Sequence, residues 1–178
     1  VALNLNRHER EIILVDDGSA ANPMEYLEEW GSDIIYIRQE NSGLSAALNA
    51  GISAAKGDYL QFVDGDDMLI KTGYDKCIEI LKANKPDMLM FLLTNSISAN
   101  NSQTFSVTTG IEYMRHNNIR STACGYLFRK DILNGHAFTC GVLHEDDEFT
   151  PLLMLKAKNL ADTTINAYWY RERANSIT

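Results

Sequence analysis

Two apolar runs that break off into carboxylates constrain this chain more than any other feature. Ile12-Ile13-Leu14-Val15 is a continuous aliphatic run that stops at Asp16-Asp17-Gly18-Ser19, and Tyr59 to Val63 stops at Asp64-Gly65-Asp66-Asp67. A run without polar alternation reads as a strand covered on both faces, as in parallel sheets. Ile34 to Ile37 and Met88 to Leu93 read the same way. Helical spacing separates these runs. Asn22 is a predicted N-cap with Pro23 at the first helical position, Tyr26, Leu27 and Trp30 form an apolar face, and Gly31 is the stop. After the Asn41-Ser42-Gly43 turn, with Ser42 as its cap, Leu44, Ala47, Leu48, Gly51, Ile52 and Ala55 recur at helical intervals up to Lys56-Gly57. Tyr74, Cys77, Ile78 and Leu81 stripe another helix. Strands alternating with helices predict βαβ units around a mostly parallel sheet flanked by helices, an α/β fold. Ligands of such sheets bind outside the carboxyl ends of the strands. Both acidic clusters are therefore expected to face one crevice.

The second half is less regular. Asn95 to Gln103 is polar and reads as a loop. Thr109 and Glu112 form a capping box for a helix through Met114. Tyr126 to Phe128 is a short strand, and Asp131 caps a short helix. A helix is expected from Thr150 to Lys158 with Pro151 in its first turn, and Thr163 to Tyr170 is a final strand. The chain shows no internal repeat. Sixteen Lys and Arg stand against 24 Asp and Glu, for a net charge of −8, so no basic surplus exists to neutralise nucleic-acid phosphates. No apolar run approaches the ~20 residues of a membrane helix. Cys77, Cys124 and Cys140 are an odd set without CxxC spacing and read as thiols of a reducing compartment. The opening Val1-Ala2-Leu3-Asn4 has no initiator Met and no secretory leader, and looks like the middle of a protein.

Three carboxylate clusters carry chemistry. Alternating acids at Asp64 and Asp66 suit a hard divalent cation shared with phosphate oxygens, Mg²⁺ or Mn²⁺. The competing reading is a solvated turn whose aspartates cap the next helix. An EF-hand is disfavoured, since Met68 falls where an oxygen ligand belongs. Asp16-Asp17 can accept hydrogen bonds from a base or ribose, or merely cap a turn. In Glu145-Asp146-Asp147-Glu148, acids suit a helix N-terminus, at roughly 0.3–1 kcal/mol each. That explains Asp147 and Glu148. Four adjacent like charges also suggest that one has another task, and a general base needs such a carboxylate. His8, His116 and His136 read as surface residues, with His144 beside the acidic run.

Taken together, the chain resembles a family 2 glycosyltransferase of the GT-A fold. The matching stretches are Glu11 to Ser19, Asn41 to Gly51, Ala55 to Asp67, His144 to Phe149 and Tyr170 to Thr178, in the family's order. The resemblance implies a Rossmann-like nucleotide-diphospho-sugar transferase fold over residues 1–178. In it, 1–94 is the nucleotide-binding half and 95–178 the acceptor-side half. It implies that Asp17 binds the base, with Ser19, Asn41, Gly43, Asn49 and Asp64 also on the nucleotide sugar. It implies Asp66, with Asp64, as the ligands of Mn²⁺ or Mg²⁺, and Asp146 as the catalytic base of an inverting transfer. The donor implied is a nucleotide-diphosphate sugar, a UDP-sugar first. The acceptor implied is a sugar or lipid-linked glycan, in cell-surface polysaccharide synthesis. The implied location is the cytoplasm, at the inner face of the membrane with peripheral association, and no nucleic-acid partner is expected.

The sequence departs from the family in two places. The family's opening strand and helix are not seen, and Leu48 stands where the family often carries Arg. Two alternatives compete. Phe62 to Asp66 resembles the nucleophile strand of haloacid-dehalogenase-type phosphatases, but no downstream Ser/Thr and Lys fill that family's other posts. A non-catalytic nucleotide-sugar-binding module would not need the acids retained at all three clusters.

Overall fold

The computed structural model describes residues 5–21, 23–27, 33–96 and 104–172. The expected helix cap at Asn22, the face at Trp30, the stop at Gly31, most of the Asn95 to Gln103 loop and the chain's last motif beyond Glu172 lie outside them. Strands β1 (Ile12–Asp17) and β2 (Ile34–Gln39) pair in parallel, Ile12 opposite Ile34 through Asp17 opposite Gln39. Helix α1 (Met24–Leu27) lies between them in sequence, and α2 (Leu44–Ala54) packs on β1. The remaining elements are β3 (Tyr59–Leu60), β4 (Met68–Leu69), α3 (Lys71–Asn84), β5 (Met88–Thr94), β6 (Phe105–Thr108), α4 (Gly110–His116), β7 (Tyr126–Arg129), α5 (Glu145–Met154) and β8 (Leu160–Trp169). Their strands form a second sheet in the order β3-β7-β5-β8-β4, with β6 also on β8.

The α/β class and the helix-flanked sheet are as expected, but the strand directions are mixed rather than mostly parallel. β1–β2 and β5–β8 are parallel, whereas β3–β7, β5–β7, β4–β8 and β6–β8 are antiparallel. The antiparallel partners come from the second half, where strand–helix alternation lapses and the chain returns to the sheet without a crossover helix for each strand. The run from Tyr59 to Val63 keeps ladder pairing only at Tyr59 and Leu60. Beyond them Gln61 takes over, its Nε2 donating to the carbonyl of Cys124 at 2.9 Å. Helix α5 starts five residues earlier than the apolar pattern suggested, because its acidic first turn is itself helical. Pro151 is thereby inside the helix, and the carbonyl of Asp147 loses the donor that a residue four on would supply. Thr109 caps α4 as expected, its hydroxyl accepting from the Glu112 amide at 3.2 Å. Among the described residues no helix is long and apolar enough to cross a membrane.

The core explains the unbroken apolar run of β5. Met88 and Met90 point into one cluster with Tyr126, Phe128, Phe149 and Leu153, while Leu89 and Phe91 point into another with Tyr74, Cys77, Ile78 and Leu127. Side chains alternate across a strand, so a strand covered on both faces needs apolar residues at every position. Helices α4 and α5 contribute to the first cluster and α3 to the second. Cys77 and Cys124 are buried thiols, and Cys140 is exposed.

The β1–β2 pair is pinned by buried Asp16. Its carboxylate accepts from the Tyr36 hydroxyl at 2.6 Å, the Arg38 guanidinium at 2.8 Å and the Ser19 amide at 2.7 Å. The Tyr36 hydroxyl first, and then Ser19, hold its pKa down at about 2, against an ordinary 3.8. A carboxyl depressed by folding adds stability above its unfolded pKa and loses it as pH falls toward the folded value. Wild-type melting temperature should therefore drop more steeply between about pH 4 and pH 2 than that of Tyr36→Phe. Parallel curves would show that the hydroxyl does not hold the carboxylate.

Helix α3 approaches β8 closely at Gly73, where an added Cβ would lie 1.9 Å from the Asn166 carbonyl oxygen. In an open helix, replacing Gly by Ala gains about 1 kcal/mol. Here Gly73→Ala should instead lose roughly 1–3 kcal/mol in urea denaturation, because the backbones must separate.

Candidate functional site

The acidic stretch after β3 folds as a turn, the Asp67 amide donating to the Asp64 carbonyl at 3.1 Å. The chain then docks on the end of β8, with Met68 opposite Trp169 and Leu69 opposite Tyr168. Asp67 faces this junction. Its carboxylate accepts from the Tyr168 hydroxyl at 2.7 Å on one oxygen and from the Arg171 amide at 2.9 Å on the other. Asp64 is exposed and Asp66 half-buried. At Gly65 an added Cβ would meet nothing within 4 Å, so the turn looks out on open space. Desolvation raises the Asp64 carboxyl above its ordinary value, with Asp67, Asp66 and Asp146 adding repulsion. Three other carboxylates thus lie within electrostatic reach of Asp64, and a cation would relieve that crowding.

Asp146 is the second residue of α5. The chain enters that helix through His144, which adopts the left-handed conformation at φ 54°, after Gly141 at φ 81°. Asp147 is engaged locally, accepting from the Ser121 hydroxyl. Beneath the same turn, the buried Thr150 hydroxyl donates its one proton to the Ser121 carbonyl. The Tyr126 hydroxyl, 2.7 Å away, is therefore the donor to Thr150. Burial raises the Tyr126 pKa and Asp146 adds to the shift, which marks their proximity. Phe138 stacks on Phe149 at 3.7 Å between centroids, with His136 on Phe149 at 4.6 Å.

The second cluster sits at the end of β1. Asp17 accepts from the Ser42 and Gly43 amides at 2.9 Å each and from Gln39 Nε2 at 2.8 Å. These bonds, the Ser42 amide foremost, lower its pKa. The expected Ser42 cap is replaced by this carboxylate, since Ser42 Oγ donates instead to the Glu40 carbonyl and the N-cap position of α2 is Gly43. Gly18 has φ 81° and lies so close to Asn41 that a Cβ would come within 2.9 Å of its amide nitrogen. Both facts demand glycine there. Ser19 is held by its amide to Asp16 and by its carbonyl, which accepts from Arg38 at 2.9 Å. Asp17, Ser19, Asn41 and Gly43 thus form one group, and Asp64, Asp66 and Asp146 another. Asn49 belongs to neither. Its Nδ2 donates to the Phe138 carbonyl at 2.8 Å and its Oδ1 accepts from the Phe138 amide at 2.9 Å, so the side chain expected on the nucleotide sugar ties α2 to the segment before α5.

Sequence reasoning missed Tyr168, Tyr126, Thr150 and Ser121. Their partners lie 24 to 104 residues away in sequence. The available signal was the placing of two hydroxyl-bearing tyrosines, Tyr126 and Tyr168, inside predicted strands. Among the described residues no three His, Cys, Asp or Glu side chains form a metal-holding group, so any cation here would share its shell with ligand oxygens. Two clefts of about 740 and 980 Å³ open near the starts of β1 and β3, lined by residues such as Ile52, Tyr59 and Leu81, and neither includes these carboxylates.

Comparisons with known proteins agree with the architecture. The chain is 28% identical over 192 aligned positions to the cholesterol galactosyltransferase of Borreliella burgdorferi, covering 95% of this chain and 53% of that protein. It is 25% identical to the minor teichoic acid biosynthesis protein GgaB of Bacillus subtilis, over 92% of this chain and 19% of that one. The crystal structure of S. aureus TarS 1-349 in complex with UDP-GlcNAc superposes with a TM-score of 0.81 at 19% identity, covering 98% of this chain and 53% of that chain, and shows the same fold. The chain spans about half the length of the first of these relatives. The sequence profile of the family described as Glycosyl transferase family 2 matches residues 2–146. Having its fold and most of its sequence pattern, the chain belongs to glycosyl transferase family 2.

Proposed function

We propose that this chain transfers a sugar from a nucleoside-diphosphate sugar, a UDP-sugar first, to an acceptor hydroxyl with inversion, in cell-surface glycan synthesis at the cytoplasmic face of a membrane. The observation that carries the reading is the repulsion that Asp66 and Asp146 exert on Asp64, in the turn after β3 of a family 2 chain. Support for the donor class comes from a neighbour that holds UDP-GlcNAc. A further neighbour, GalNAc-T7, was crystallised with UDP, GalNAc and Mn²⁺.

The donor set fits Mn²⁺ or Mg²⁺, since hard cations take one or two carboxylates and complete their shell with phosphate oxygens. Asp66 and Asp64 would hold the ion, which when bound offsets the negative charge of the departing diphosphate. Asp146 takes the proton from the acceptor hydroxyl as that oxygen bonds to the anomeric carbon and the bond to the diphosphate oxygen breaks. Asp17 has three of its roughly four acceptor positions filled by Ser42, Gly43 and Gln39, which leaves room for one N–H of a base. Ser19, Asn41 and Gly43 line the nucleotide around it, and Asn49 acts at a distance by fixing Phe138. On this reading residues 1–94 form the donor half and 95–178 the acceptor half.

Three variants of the full-length protein test the roles. Asp66→Ala should abolish Mn²⁺-dependent UDP binding in calorimetry while the metal-free melting temperature changes little. Unchanged affinity would remove Asp66 from the site. Asp146→Asn should slow transfer by ~10²–10⁴ while UDP affinity stays within about twofold, because asparagine keeps the shape but cannot take the proton. Asp147→Asn should stay active, and the reverse pattern would move the base by one residue.

A further inference from the structure

Tyr168 is fully buried on β8, packed in the cluster with Tyr74, Cys77 and Phe91, and lies a hundred residues along the chain from the acidic turn. Its hydroxyl nevertheless closes that turn. It donates to Asp67 at 2.7 Å and accepts from the Asp64 amide at 3.0 Å, so one oxygen holds both ends. The Arg171 amide takes the other Asp67 oxygen at 2.9 Å. Both carboxylate oxygens of Asp67 are thus engaged by donors of β8 and the residues just after it. The ring is confined by its full burial, and the strand beneath it is fixed by the pairing with Leu69 and by the Ile70 amide, which donates to the Ala167 carbonyl at 2.8 Å.

We infer that Tyr168 is a positioning residue: with Asp67 as its anchor, its hydroxyl fixes the conformation of the Asp64–Asp67 turn, and with it the placement of Asp64 and Asp66 toward a divalent cation and its nucleoside diphosphate. The cation part rests on the function proposed above; the turn-holding part does not. Tyr168→Phe removes one oxygen and keeps the ring. The Asp67→Asn side chain still offers an oxygen to the Tyr168 hydroxyl and gives up only the contact with the Arg171 amide, so the charge of Asp67 should be dispensable where that of Asp66 is not.

The experiment uses the full-length protein and two readouts. Amide hydrogen exchange is followed without metal, and Mn²⁺ binding in the presence of UDP is followed by electron paramagnetic resonance. In Tyr168→Phe the Asp64 amide should exchange at least tenfold faster, and Mn²⁺ affinity should fall about tenfold or more, as expected for one lost hydrogen bond to a charged group. Asp67→Asn should bind Mn²⁺ within about threefold of wild type, and Asp66→Asn should not bind it. Unchanged Asp64 exchange in Tyr168→Phe overturns the inference, as does an Asp67→Asn variant as defective as Asp66→Asn. If wild type binds no Mn²⁺ with UDP, the proposed function fails, and the exchange result alone decides the role of Tyr168. If Tyr168→Phe does not fold, the comparison of Asp67→Asn with Asp66→Asn decides it.

Discussion

The double-sided burial of β5 is the constraint on which the larger sheet depends. Met88, Leu89, Met90 and Phe91 are all fully buried, and β7 and β8 flank the strand edge to edge. Because β5 must be covered above and below, α3 is held on one side and α4 with α5 on the other. Two of these helices bear on the carboxylates that follow β3. α5 carries Asp146 on its first turn, and Gly73 brings α3 in close against β8, the strand that bears Tyr168. At strongly apolar positions of this kind, each fully buried large side chain contributes about 1.5–3 kcal/mol. Such burial can therefore keep polar turns in place at the sheet's edge.

A division of labour runs through the carboxylates. Asp16 is buried and bonded to Tyr36, Arg38 and Ser19, whereas its neighbour Asp17 is turned to the Ser42–Gly43 loop. Asp67 is bonded on both oxygens, whereas Asp64 crowds against other acids. Asp147 takes the Ser121 hydroxyl, whereas Asp146 lies near Asp64 and Tyr126. Asp87 shows the purely structural version: its carboxylate accepts from the Lys158 and Asn159 amides and pairs with Arg129. In the first two acidic clusters a carboxylate holds backbone, and in the third Asp147 holds the Ser121 hydroxyl, so adjacent acids have separate tasks in a chain already at −8.

How much of this was legible depended on whether the physics is local. β1, β2, β5, α2 and the Thr109 cap follow from apolar runs, period and capping chemistry over a few residues. The direction of the sheet's strands does not, because pairing between β5, β7 and β8 is settled by tertiary packing and leaves no short-range pattern. The start of α5 was misjudged for a related reason: four acids and a proline look like a loop to an apolar count, but the helix dipole favours acids in its first turn. Among the candidate site residues, the acids that follow the two apolar runs were readable from position alone. Tyr168 was not, since its role comes from a hydroxyl whose partners are a hundred residues away. Asn49 was readable only as a polar residue on a helix, and its pairing with Phe138 could not be seen from either segment.

That pairing has a mechanical consequence. Asn49 grips the Phe138 backbone from α2 through both ends of its amide, and the Phe138 ring lies flat on Phe149 of α5. Helix α2 begins at the loop that Asp17 organises, and α5 carries Asp146 in its first turn. Rotation of either helix alone would shear a two-point hydrogen bond and slide one aromatic face off another. The clamp therefore behaves as a strut rather than a hinge. The spacing between the loop at the end of β1 and the acidic first turn of α5 is built into the folded protein, with no closing motion needed to create it.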